Sequence, residues 1–177
     1  VWGTREVANV ENFFLEFEIA VKRFYVTQWQ IQLQNSSKLT IYRSFKEYYG
    51  EETYLCDLEA RHLRRCLSKF RISDHCLEIE TGRRDGILME DRVCKLCLAN
   101  GNIIIEDEMH FLLQCPSYND IRLKLLPHDI LAANKCFALF VSIMTNNDYA
   151  LQLNIAQLLY EDFKKRSSLL KTLEPDT

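Results

Sequence analysis

The chain has 177 residues, 47% of them apolar, and a formal net charge of −3. A domain of this size removes roughly 70% of its unfolded surface from water, enough for one sizeable core. The acidic balance excludes a surface coated in positive charge for indiscriminate nucleic-acid binding, so any such contact must be local.

The opening VWGTREVANV lacks the basic start and short apolar core of a secretory signal, and the first residue is valine, so we read part of a longer polypeptide. From Val7 the residues Val10, Phe14, Phe17, Val21 and Phe24 recur in steps of three and four, which predicts a long first helix with a stripe for a core or a second helix. Tyr42, Phe45, Tyr48 and Tyr49 predict a short aromatic helix that stops at Gly50. A third helix is expected from Thr53 to Phe70, with Leu55, Leu63, Cys66, Leu67 and Phe70 on one arc and Arg61, Arg64, Arg65 and Lys69 on the other.

Thr81 to Asp91 has two glycines and no periodicity, and reads as a loop. Arg92-Val93 and Ile103 to Ile105 are the candidate strands. Pro116 suits the first turn of a helix running through Ile121 to Leu126, and two more helices are predicted around Lys135 to Met144 and Tyr149 to Lys171. The most apolar stretch, Cys136 to Met144, is far short of the ~20 residues that span a bilayer and predicts a buried helix, not a membrane segment.

Cys94-x2-Cys97-x12-His110-x4-Cys115 has the spacing of a structural zinc site. The first pair grips a metal from a tight turn and the second completes a tetrahedron, with Asn100-Gly101 turning the chain between them. Buried thiols and a redox CxxC are the alternatives, but a redox pair would normally open a helix of a βαβ unit. His110 and Cys115 would stand about 140° apart on an ideal helix, so the helix is expected to end near Cys115, where Pro116 disfavours helical geometry. Glu106, one turn before His110, is a candidate carboxylate partner for its imidazole. Cys56, Cys66, Cys76 and Cys136 are expected in the core. The seven cysteines, among long helical patterns and with five glycines and three prolines, fit a reducing intracellular setting, nucleus or cytoplasm, better than a disulfide scaffold.

Arg61, Arg64, Arg65 and Lys69, extended by Arg83, Arg84 and Lys95, form the one phosphate-binding candidate surface. A basic arc opposite an apolar one is also the ordinary solvated face of a helix. The sequence holds no paired polymerase aspartates in a hairpin, Gly-rich phosphate loop, HExxH helix or nucleophile motif, so we expect no enzyme activity from the chain by itself.

The segments WQIQLQNSSKLTIYRSFKEYYGEETYL, LSKFRISDHCLEIETGRR and RVCKLC…EDEMHFLLQCPSYNDIR resemble the region after the polymerase domain in non-LTR retrotransposon reverse transcriptases of invertebrate animals, zinc-binding element included. VWGTREVANVENFF resembles the segment just beyond the polymerase core, and the resemblance spans about Val1 to Arg122. It implies a non-catalytic, zinc-binding accessory region that contacts RNA or single-stranded DNA. The ligand pattern carries over to Cys94, Cys97, His110 and Cys115, whereas the polymerase aspartates have no counterpart. The other expectation is a zinc-stabilised helical module that binds protein.

The expected fold is mainly α, a helical domain with a small CCHC zinc-bound hairpin-helix element. Its expected parts are an N-terminal helical segment (1–50), a helix with the zinc-binding region (51–126) and a C-terminal helical segment (127–177), packed as one compact unit.

Overall fold

The computed structural model describes residues 5–173; the chain's first four and last four residues, and with them the start of the VWGTREVANVENFF segment, lie outside that span. The fold is mainly α. Among the described residues ten α-helices run in order: α1 (Arg5–Asn35), α2 (Tyr42–Phe45), α3 (Thr53–Asp57), α4 (Arg61–Arg71), α5 (Glu78–Arg84), α6 (Lys95–Leu98), α7 (Asn119–Leu125), α8 (His128–Ala132), α9 (Phe137–Thr145) and α10 (Tyr149–Leu173). No helix among the described residues is long and apolar enough to cross a membrane.

Helix α4 lies along α10 and sets the core. Its buried Leu63, Leu67 and Phe70 share one apolar cluster with Ile155, Leu158 and Leu159 of α10, and with Phe140, Ile143 and Met144 of α9. Phe111, Leu112 and Leu113, from the segment between the predicted metal ligands, join that cluster with at most 1% exposure. The metal element is therefore part of the main core. Burying each such side chain contributes about 1.5–3 kcal/mol, so the segment carrying the candidate ligands and the helices stabilise each other.

Four expectations need correction. The third helix is two, because Leu58 and Ala60 are extended between α3 and α4. Leu58 is thereby buried, and the Arg64 guanidinium donates to the carbonyls of Leu55 and Leu58 at 3.3 and 3.0 Å, satisfying groups the break exposes. The aromatic helix ends at Phe45 rather than Gly50, leaving Tyr48 and Tyr49 exposed. The expected loop from Thr81 to Asp91 begins inside helix α5, which runs to Arg84. Cys56, Cys76 and Cys136 are exposed and Cys66 half-buried, so none belongs to the buried core. Cys76 and Cys136 lie between helices, Cys56 is on the short α3, and Cys66 of α4 packs against the core from its edge.

The end of α4 explains its sharp exit. Ser73 adopts φ 53°, and the amide of Asp74 reaches back to the carbonyl of Lys69 at 2.7 Å, the pattern that closes a helix through one left-handed residue. Glycine usually fills that position; here the Ser73 hydroxyl donates to Glu108 at 2.7 Å, tying α4 to the segment that carries His110.

Candidate metal centre

The strands shrink to one antiparallel bridge, Val93 with Ile105, framed by Cys94 N–H to Ile104 C=O at 2.8 Å and Glu106 N–H to Arg92 C=O at 2.9 Å. This minimal hairpin delivers Cys94 at its end. Cys94 is extended and α6 begins at the next residue, so Cys94 and Cys97 flank one tight turn. The chain returns through Gly101 at φ 79°, a left-handed position that favours glycine, and the Asn102 amide donates to Cys97 C=O at 2.9 Å.

On the far side, Asp107 Oδ1 accepts the His110 amide at 2.7 Å and starts a helical turn. That turn is wider than an α-helix: His110–Gln114 is π-helical, and the Cys115 amide bonds the His110 carbonyl at 2.7 Å. A turn closed from i to i+5 brings residues five apart onto one side, which an α-turn cannot do. The chain then leaves the helix at Cys115 (ψ 120°), before Pro116. The expected exit at Cys115 is present, and the wide turn supplies the rest of the alignment.

The four ligand atoms lie within 4.8 Å of one another, and all four residues are buried. Sγ of Cys115 is 4.0 Å from that of Cys94 and 3.7 Å from that of Cys97, and Cys97 Sγ is 3.4 Å from His110 Nε2. Their electrostatics suit a cation. The hydrogen bond between Cys94 and Cys115 holds the Cys115 thiol well below its ordinary range and pushes Cys94 up, while burial raises Cys97. Without a cation the cluster thus favours one thiolate, and a bound metal ion would offset the repulsion among three.

Two buried arginines brace the cluster, and the sequence reading singled out neither. Arg122 of α7, 1% exposed, donates to Leu112 C=O at 2.9 Å and to Cys115 C=O, clamping both ends of the wide turn's second half. Arg166 of α10 donates to Glu106 Oε1 at 2.8 Å and Oε2 at 2.6 Å. Glu106 Oε2 also accepts the Glu78 amide at 2.8 Å, at the start of α5.

Glu106 is therefore not the partner of His110. Its carboxylate is filled by Arg166 and α5, and the buried His110 Nδ1 has no hydrogen-bond partner. A helical register places Glu106 one turn before His110, but Glu106 precedes the helix and its side chain leaves in another direction.

The seven candidate nucleic-acid contacts divide. Arg64 caps carbonyls as described, Arg83 pairs with Glu80 at 2.8 Å and Lys95 with Glu78 at 2.9 Å. Arg61, Arg65 and Arg84 are exposed. Lys69, near half-exposed, pairs with Asp74 at 3.3 Å and lines the same cavity as Arg84. Arg61, Arg65 and Lys69 follow one another at single-turn spacing on α4, so Arg61, Arg65, Lys69 and Arg84 form one line of cations.

Comparison of the chain with protein-family models, curated proteins and solved structures finds no match.

Proposed function

We propose that the chain is a non-catalytic, zinc-stabilised accessory module of a reverse transcriptase of the non-LTR retrotransposon type, contacting the backbone of RNA or single-stranded DNA. The observation that carries the metal part is the buried Cys3His set. Zinc bonds of about 2.3 Å to sulfur and about 2.0–2.1 Å to nitrogen put tetrahedral S···S edges near ~3.8 Å and S···N edges near ~3.5 Å. The cluster's 3.7, 4.0 and 3.4 Å separations match those edges. Sulfur-rich tetrahedral sites select zinc among common divalent ions, and four buried protein ligands support a structural role over a catalytic one.

The nucleic-acid part rests on the cationic line of Arg61, Arg65, Lys69 and Arg84, together with the sequence resemblance. Arg61→Gln/Arg65→Gln/Arg84→Gln tests it, because these side chains are exposed and their loss leaves the core intact. Three lost single-strand phosphate contacts should flatten the log-affinity against log-salt slope by about two units. Equal binding of single-stranded RNA by the native and triple-variant chains at low salt would contradict the reading. The second reading, a zinc-stabilised helical module for protein–protein interaction, is favoured by the exposed aromatic stripe of α1.

A further inference from the structure

Among its described side chains, helix α1 is buried against the body near its C-terminal end. Leu33 is buried, Val26 and Trp29 are half-buried, and the Trp29 ring meets Tyr49 at 5.6 Å. At 100° per residue these three side chains share one face of the helix, and the phenylalanine stripe lies on the face turned away. There Val10, Phe14, Phe17, Val21, Phe24 and Ile31 fall within an arc of about 100°, flanked by Phe13 and Tyr25. Phe13, Phe14, Phe17 and Phe24 are 63%, 62%, 59% and 61% exposed.

A phenylalanine at that exposure leaves roughly 120 Å² in water, and the stripe with its flanks leaves on the order of 800 Å². Ordinary monomers rarely expose contiguous apolar patches above about 300–600 Å², whereas ~800 Å² is what each partner contributes to a standard specific interface.

The stripe's period is a heptad seam: Val10, Phe14, Phe17, Val21 and Phe24 alternate steps of four and three, the geometry of helix pairing. The charges beside it name the partner and its direction. Glu11, Glu16 and Glu18 precede the midpoint, and Lys22 and Arg23 follow it. A parallel copy would set each acid and each base against itself. An antiparallel copy crossing near Ile19 sets the acidic half of each helix, Glu11 to Glu18, along the basic half of the other, Lys22 and Arg23. The same register stacks Phe14 on Phe24 and Phe17 on Val21 of the second copy.

The geometry points to α1 as a self-association helix, pairing two copies of this chain antiparallel through the Phe14/Phe17/Phe24 stripe. Such an interface is two-fold symmetric and closes at the dimer. It does not depend on the nucleic-acid reading.

Sedimentation of the full metal-loaded chain across concentration tests the pairing, with helicity and metal content followed in parallel. The native chain should pass from monomer to dimer, and Phe14→Ser/Phe17→Ser should weaken the dimer by about a hundredfold or more at unchanged helicity and metal content. Lys22→Glu/Arg23→Glu should weaken it about tenfold, and adding Glu16→Lys/Glu18→Lys should restore it. A chain that stays monomeric, or inserts the stripe into lipid vesicles instead, would overturn the inference. So would a dimer indifferent to the phenylalanine pair. A dimer that the Lys22/Arg23 reversal leaves unchanged would overturn the antiparallel order.

Discussion

Arg122 donates from one guanidinium to the carbonyls of Leu112 and Cys115, so a residue seven positions beyond the last ligand holds the turn that aims that ligand. The wide turn leaves carbonyls that a regular α-helix would satisfy. Losing the guanidinium leaves two buried acceptors unpaired at about 1–3 kcal/mol each. Arg122→Met should therefore destabilise the chain by about 2–5 kcal/mol and weaken metal retention about 10–100-fold, the range for residues that orient metal ligands. Lysine should not rescue it, because one ammonium lacks the planar fork that spans two carbonyls. Urea unfolding and competition with a chromogenic chelator check both halves.

Arg166 and Glu106 form a buried ion pair at 2.6 Å, with Arg166 also 3.4 Å from Glu78. Removing one partner strands the other charge. Glu106→Leu should cost about 3–5 kcal/mol, whereas Glu106→Leu/Arg166→Met should be clearly milder than the sum of its parts. A double-mutant cycle by urea unfolding measures the difference; additive effects would show that the pair does not act as a unit.

The alternation of apolar residues made α1, α9 and α10 legible, and ligand spacing named the four side chains that the fold gathers into one buried cluster. Helix α5 was not legible, because Glu78–Arg84 has no apolar period. Its start is held by Glu106, 28 positions away, and Gly82 is a close-approach site: a Cβ there would come within 2.7 Å of the Arg92 side chain. The wide turn at His110 was equally hidden, since its cause, the Arg122 clamp, is tertiary. The basic side chains looked alike in sequence, and only the folded chain separates Arg64, bonded to carbonyls, and Lys69, Arg83 and Lys95, each beside an acid, from Arg61, Arg65 and Arg84.

Asp162 is completely buried, and neither carboxylate oxygen has a hydrogen-bond partner. Burial pushes its pKa up to about 8, against the pull of Arg122 and Lys165. An unfolded aspartate titrates near ~3.9, so between about pH 4 and 8 the folded chain holds a proton that the unfolded chain has lost. Stability from this group is thus fully present below about pH 4, declines as pH rises, and is gone above about pH 8. Asp162→Asn should remove up to about 1.4 kcal/mol per pH unit of that decline. Urea midpoints from pH 6 to 8, where thiol and imidazole ligands keep the metal, measure it as the difference in slope between native and variant; equal slopes would contradict the assignment.

Metal removal should act first on the cluster and then on the core. Structural zinc contributes roughly 10–16 kcal/mol of apparent binding free energy in small peptides, comparable to the net stability of a whole domain. Because Phe111, Leu112 and Leu113 lie between two ligands and inside the main core, chelation should raise amide exchange across 92–118 first and then along α4 and α10. Exchange that stays unchanged after complete metal removal would contradict this coupling.

Elemental analysis of the chain purified without chelator shows directly whether Cys94, Cys97, His110 and Cys115 hold one zinc. One zinc per native chain is expected, with a sharply reduced content in Cys97→Ser; native chain that is folded and contains no zinc would contradict the zinc site.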